Sequence, residues 1–580
     1  MRTSNGCWTC RLRRKKCDEL HPVCHGCATL DIACHFDPNH KPEWMDGGVK
    51  QEEMAEKLKT EIKEMAHRRR GERIGHVLDA QRPSVTAVAA QEVLGPVRDS
   101  SGPLETTEIH SNGTGPSSKS PTSEPQRGAD CTLIKKDACT KISFERSDTI
   151  LLAFYLENLL PFLFPFYRPS LLEGGRAWIF ELMISSPVVR QATLCQSLYF
   201  FSLARGSADH NEVWAQVLTQ TTDALGILRQ ALQVIEGSGV EEHLHGAVRI
   251  MASIMQMQRF EIAVSSFHNW QNHLNAALAL FEQLLHSATG PREIAACFED
   301  VVNRLGSSSS SSWTRPSETG QIPSAEQAAF RFSSTVIIFD DVIASTALGE
   351  QPKLYGYHQS LLSCQKGIYV APIDLESVVG LNNETLLCIG EISALQAWKQ
   401  GCKVVGNVDV VELVYRGTTI KESLVAQLIR LETGSQPGTR KSGSLLDNFT
   451  PLLSQSSSVS RVWAHAALIY LSTVASGWQP DNDEVRYHIS RVIELLQSQD
   501  SPTVLRTMVW PFCVAGCLAE PAQEASFRGL VNNLQPASIF GTLHKSLEIM
   551  ENVWRTKEKG LLDRDLAMCF RLQDEVILLV

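Results

Sequence analysis

Cys7-Trp8-Thr9-Cys10-Arg11-Leu12-Arg13-Arg14-Lys15-Lys16-Cys17 is followed, after six residues, by Cys24-His25-Gly26-Cys27-Ala28-Thr29-Leu30-Asp31-Ile32-Ala33-Cys34, so the rhythm C-x2-C-x6-C occurs twice. That spacing is a metal site. Zinc takes four tetrahedral ligands and favours sulfur, so six cysteines complete two sites of four only if two sulfurs serve both metals. Four terminal and two bridging thiolates then supply eight zinc bonds. The expected cofactor is two zinc ions, held by Cys7, Cys10, Cys17, Cys24, Cys27 and Cys34.

The halves share a scaffold but not a charge. Arg11, Arg13, Arg14, Lys15 and Lys16 fall within six residues of the first half, whereas Ala28 to Ala33, the matching stretch, has no cation. Only the first half can neutralise phosphate, so it is expected to face a polyanion while the second packs behind it as a buttress. A RING-type module would need eight separate ligands. No seventh and eighth follow Cys34 at suitable spacing, and His21, His25 and His35 read as surface residues of the loops. A zinc knuckle that only binds protein is the plainer alternative, and the clustered cations argue against it.

The run Arg11-x-Arg13-Arg14-x-Lys16-Cys17-Asp18 within this cysteine pattern resembles the fungal binuclear zinc cluster transcription factors. The resemblance implies that the first and fourth cysteines, Cys7 and Cys24, bridge the metals and that Pro22 lies in the connecting loop. It also implies that a short helix end enters the major groove, where Arg13 and Arg14 read a CGG triplet in double-stranded DNA. The chemistry agrees. A guanidinium donates two hydrogen bonds to guanine O6 and N7, worth roughly 1–3 kcal/mol of discrimination. Arg11, Lys15 and Lys16 would contact phosphates and set register.

The chain has 580 residues, 43% of them hydrophobic, enough for a small module plus one large domain or two medium ones. No secretory signal or apolar run of transmembrane length is seen, so no membrane partner is expected. Ten further cysteines, from Cys131 to Cys569, show no paired spacing, which suits a reducing intracellular compartment. Residues 1–75 carry 15 Lys+Arg against 12 Asp+Glu and the remainder 39 against 52, giving +3 in front and −13 behind. An acidic body disfavours DNA contact outside the amino-terminal module, whose basic cluster also reads as a nuclear import signal.

Organisation follows from composition. Residues 1–36 form the cluster module, and 37–70 a turn-rich connector and a helix without Pro or Gly from Val49 to Arg70. Met54, Leu58, Ile62 and Met65 make a narrow apolar stripe of about two heptads, shorter than a sustained coiled coil. A homodimer through this stripe and a solitary solvated helix both stay open. Residues 71–140, rich in Ser, Thr, Pro and Gly, read as a disordered linker, and 306–320 as a flexible Ser-rich insertion.

Residues 141–580 alternate apolar helical runs with short polar joints and show almost no strand alternation. The expected fold class is mostly α: a large all-α regulatory domain of helix pairs, built on faces such as Leu274, Leu278 and Phe281 or Leu285. Four stretches resemble the fungal-specific transcription factor domain, in the branch that includes acriflavine-sensitivity and metabolic gene-cluster regulators. They are Phe162 to Trp178, Phe330 to Leu354, Ile389 to Trp398, and Ser476 through Gly516.

Sequence signatures of catalysis are missing: no nucleophile elbow, Walker loop, dinucleotide fingerprint or H-E-x-x-H helix occurs, so no enzyme is expected. His243 and His245, an H-x-H beside a glycine, read as a helix start. Ile254 to Phe260, with Trp270 nearby, suits core packing or an adaptable effector pocket, and convergent polar groups would decide between them. The expectation is a nuclear, zinc-dependent, sequence-specific DNA-binding transcription regulator of a metabolic or secondary-metabolite pathway, working with the transcription machinery or coregulators. The alternative is a protein-recruiting corepressor or small-molecule sensor with weak direct DNA binding.

Overall fold

The computed structural model describes residues 6–59 apart from 14, 29, 31, 37–40, 49 and 52–53. It also describes residues 145–580 apart from 172–173, 207–209, 265, 288–292, 307–321, 365–370, 434–450, 500, 535–537, 557–563 and 573–574. The expected linker at 71–140, nearly all of the Ser-rich insertion, and Ile62 and Met65 of the apolar stripe lie outside the described residues. The chain divides into two compact units, Met1–Ser120 and Pro121–Val580.

The larger unit is helix after helix, and its axis is Ala325–Leu348. Ser324 starts this helix with a capping box: its hydroxyl accepts from Gln327 N (3.1 Å) while Gln327 Oε1 accepts from Ser324 N (2.8 Å). Gly349 ends it in the left-handed conformation at φ 72°. In between, Phe330, Val336, Ile337, Ile338, Val342 and Ile343 are all buried, and the helix is apolar on nearly every side because other helices surround it. Its few acids are therefore buried and must be partnered. Glu326 takes Arg249 Nε at 3.0 Å, Asp340 takes Arg259, and Asp341 accepts from the N–H groups of Lys353 (3.1 Å) and Leu354 (2.8 Å).

Neighbours in sequence pack as neighbours in space. Pro187–Ala204 packs on His210–Ser238, Leu244–Ala263 on Trp270–His286, and Pro451–Ser476 on Asp483–Gln497. On Trp270–His286 the expected face of Leu274, Leu278, Phe281 and Leu285 is buried. The stretches expected to carry the family likeness are core material. Trp510 stacks flat on Trp463, with ring centroids 5.3 Å apart and planes 6° apart, and its indole N–H donates to Thr346 Oγ1 at 2.8 Å. At Gly516 a Cβ would stand 1.7 Å from Met550 Sδ, so a side chain there requires the buried Met550 to move. Before the axis, Arg176 Nη2 donates to the Tyr167 carbonyl at 2.7 Å and Trp178 Nε1 to Tyr167 Oη at 2.8 Å, closing the Phe164 to Trp178 turn.

Two features depart from the expectation of simple helices. Tyr155–Leu159 is a π-helical turn between the Arg146–Phe154 and Leu160–Leu163 helices, ahead of Pro161, which has no N–H to donate. The chain ends in a small antiparallel hairpin, Arg571–Leu572 against Glu575–Val576, followed by buried Ile577, Leu578 and Leu579. Trp270 Nε1 donates to the Val576 carbonyl at 2.9 Å, so this tryptophan anchors the carboxyl-terminal segment. Among the described residues no helix is long and apolar enough to cross a membrane.

Candidate metal centre and nucleic-acid interface

The smaller unit has little apolar material, and its buried core is Cys7, Cys10, Cys24, Cys27, Ile32 and Leu58. Two short helices, Trp8–Leu12 and His25–Ala28, carry Cys10 and Cys27, with Cys7 and Cys24 immediately before them. Cys7 caps the first: its sulfur accepts from Cys10 N at 3.3 Å, a role that a hydroxyl or carboxylate oxygen usually fills. The Asp18 carboxylate accepts from His25 N at 2.9 and 3.2 Å and caps the second. Gly6 lets the chain pass close by, since a Cβ there would lie 2.9 Å from Cys17 Cβ.

These constraints gather the sulfurs into two overlapping groups. Cys7, Cys10, Cys17 and Cys24 offer ligand atoms within 4.8 Å of one another, and so do Cys7, Cys24, Cys27 and Cys34. Cys7 and Cys24 belong to both. Within these groups sulfur separations of 3.7 Å (Cys7 to Cys24), 3.8 Å (Cys7 to Cys27) and 3.6 Å (Cys10 to Cys24) recur. A zinc tetrahedron with bonds of about 2.3 Å has edges of about 3.8 Å, so the cluster has the dimensions that zinc requires.

Protons compete for the same sulfurs. Burial pushes the Cys10 thiol up to about 11 and the Cys7 and Cys27 thiols further. At Cys24 burial also pushes upward, but the Cys27 N–H and the neighbouring thiols overcome it and bring the group down to about 7. Metal binding must therefore release protons, and its strength falls as pH falls.

The basic loop sits on the first half. Arg11 lies over the Trp8 ring, its guanidinium carbon 4.6 Å from the centroid, and Lys15 and Lys16 are exposed. Arg13 is half-buried, with Nη1 3.5 Å from the Gly26 carbonyl in the other half. Arg14 lies outside the described residues. The halves are also joined through Thr9, whose hydroxyl donates to the Ala33 carbonyl at 2.8 Å and accepts from His35 N at 3.2 Å. His35 is thus a half-buried tie between the halves, while His21 and His25 are exposed as expected.

A family model described as the fungal Zn(2)-Cys(6) binuclear cluster domain matches residues 5–43, and one described as the fungal specific transcription factor domain matches residues 150–579. The chain belongs to the fungal zinc cluster transcription factors. It is a zinc-dependent, DNA-binding transcription regulator with a mostly α body. "Transcription factor dibT" of Pestalotiopsis microspora is 34% identical to this zinc cluster factor, over 95% of each chain. "Pestheic acid cluster transcriptional regulator 3" of Pestalotiopsis fici is 28% identical over 96% of this chain and 95% of its own. The "ustiloxin B cluster transcription factor ustR" of Aspergillus flavus is 24% identical over the same shares, 96% and 95%. No solved structure matches.

Sequence reasoning did not find the part played by Leu58. It is buried at 2% exposure in the same cluster as the cysteines, alongside half-buried Leu12, Leu30 and Phe36. Its place in a period-four stripe was visible, but its partner surface was not. His243 and His245 stand at the start of the Leu244–Ala263 helix, and among the described residues only cysteines group closely enough to suggest a metal.

Proposed function

We propose that this zinc cluster factor recognises CGG triplets in duplex DNA within the nucleus and controls a biosynthetic gene cluster. The observation that carries the reading is the one-sided charge of a two-metal scaffold: Arg11, Arg13, Lys15 and Lys16 stand on one half and no cation stands on the matching stretch. Cys7 and Cys24, common to both cysteine groups, would bridge two zinc ions, each ion completed by two of the other four cysteines. Arg13 and Arg14 read guanines, while Arg11, Lys15 and Lys16 hold phosphates. The pathway reading is supported by relatives whose names place them in pestheic acid and ustiloxin B clusters.

The mechanism is binding, not turnover. Contact with coregulators is supported by an apolar tip on the body where Val404, Val405 and Val411 are each at least 80% exposed. Leu58 is committed to the module's own core, which disfavours a dimer through the Met54 and Leu58 stripe.

The test is selection of sites from random duplex DNA by the zinc-loaded full chain, compared with Arg14→Ala. CGG should be enriched, and the variant should lose roughly 1–3 kcal/mol of discrimination at a guanine. Absence of enrichment with two zinc ions bound would overturn direct readout and favour recruitment by a partner. A single triplet or two at fixed spacing reports one or two bound copies.

A further inference from the structure

The Ile254 to Phe260 segment belongs to the core. Ile254, Met257 and Phe260 are buried, and the cavity beside the segment measures about 40 Å³, room for water and not for an effector. A larger apolar feature lies on the outside of the body, along the Val410–Thr433 helix. One face of that helix is committed: Leu413, Gly417, Ile420, Leu424 and Leu428 are buried, and the helix packs on Asn383–Val405 and Pro451–Ser476. The opposite face of a surface helix is ordinarily polar. Here Val411 is 80% exposed, Tyr415 69%, Val425 39% and Ile429 55%.

With Thr418 and Glu422, both exposed, these residues form a crest at intervals of four, three, four, three and four. Alternating steps of three and four are the spacing of a heptad seam, which keeps one line of side chains facing a partner helix. The crest runs for nearly three heptads, about 27 Å of helix at 1.5 Å per residue. Charges along its borders are taken up within the chain: Lys421 pairs with Glu484 at 2.7 Å, Arg416 with Glu412, and Arg430 with Glu384. Glu422 is the one charge on the crest itself.

The order of the crest selects its occupant. Read from both ends towards the level of Ile420, it matches Val411 with Ile429, Tyr415 with Val425, and Thr418 with Glu422. Apolar meets apolar at the two outer levels, and a hydroxyl donor meets a carboxylate at the inner one. A two-fold axis demands this reciprocity, because residue i touches j of the other copy while j touches i. A parallel pairing would instead set Glu422 level with Glu422, like charge on like charge.

We infer that the body forms a two-fold dimer of this chain through the Val411 to Ile429 crest, with the two Val410–Thr433 helices antiparallel. Thr418 donates to Glu422 of the second copy, and this polar level fixes the register at a cost in strength. A single helix pair is a small interface, so the dimer depends on concentration. Val404 and Val405 precede the crest and are not part of the seam. The seam asks nothing of the Met54 and Leu58 stripe, and it stands apart from the CGG reading because it is measured without DNA.

The experiment is sedimentation equilibrium of the zinc-loaded full chain, compared with Tyr415→Glu, Val425→Lys and the double variant. The unaltered chain should pass from monomer to dimer as its concentration rises. Each single variant puts an unmatched charge into the seam and should raise the dissociation constant roughly tenfold or more. The double variant should recover most of that loss, because position 415 of one copy meets position 425 of the other. Ten residues apart on one helix, the two new charges cannot pair within a chain. Both positions are exposed, so circular dichroism should be unchanged in all three variants. A monomer throughout, a dimer indifferent to the single variants, or losses that the double variant does not repair would each overturn the inference.

Discussion

The two units of this chain reach order by opposite means. The larger buries more than a hundred apolar side chains, with Ala325–Leu348 sheathed by other helices, and holds its acids in ion pairs and turns. The smaller has a core of four cysteines, one isoleucine and one leucine. At roughly 25 cal/mol per Å² of apolar area, the first core offsets its chain entropy and the second does not. The difference teaches that a chain can carry one domain whose stability is a property of sequence and solvent alone, and another whose stability is also a property of metal supply.

The most direct way to break the comparison is to remove the metal. Chelation should abolish duplex binding completely and unfold the cluster, while the helical signal of the body in far-ultraviolet circular dichroism stays within a few per cent. Loss of both together would mean the units are not independent. The reverse experiment strikes the body. Gly516→Leu forces a side chain where a Cβ already meets Met550 Sδ at 1.7 Å, so the body should lose about 3 kcal/mol or more in urea unfolding while zinc content is unchanged.

A smaller effect comes from acid. His465 and His488 are buried with Nδ1 atoms 2.9 Å apart, and burial, then His488, Arg491 and Arg461, hold His465 down to about 3. A histidine whose folded value lies below its unfolded 6.5 contributes fully above 6.5, and that contribution is lost as pH falls from 6.5 towards 3. Between pH 7 and pH 5 the body should lose on the order of 2 kcal/mol, read from urea midpoints. His465→Gln should flatten that slope, and an unchanged slope would remove the histidine from the account.

The smallest effect sharpens the comparison inside the module. Thr9→Val deletes the hydroxyl that joins Ala33 and His35, at a cost of roughly 1–2 kcal/mol. It should raise the zinc concentration needed for half-maximal duplex binding severalfold without changing the selected site. A changed site would place Thr9 in recognition.

How far the sequence could be read follows the same division. The cysteine rhythm and the basic run are local patterns, and they were enough for the cofactor and for DNA binding. The helical body was legible from periodicity and its lack of strand alternation, but the two-residue strands at Arg571 and Glu575 are too short to leave an alternating signal. Partners distant in sequence were not legible. Trp270 donates to Val576 across about three hundred positions, and Gln256 meets Tyr155 across about a hundred. His35 looked like loop surface because only the folded chain brings it to Thr9.

The parallel indoles of Trp463 and Trp510 have an optical consequence. Two identical chromophores held close in a fixed, nearly parallel orientation share their excited states, so they absorb as a pair rather than as two independent rings. The near-ultraviolet spectrum of the body should therefore carry a signature that vanishes when the helices part. That signature would report on the helical domain apart from the zinc module, whose described indoles are Trp8, under the Arg11 guanidinium, and Trp44, 5.4 Å from the His35 ring.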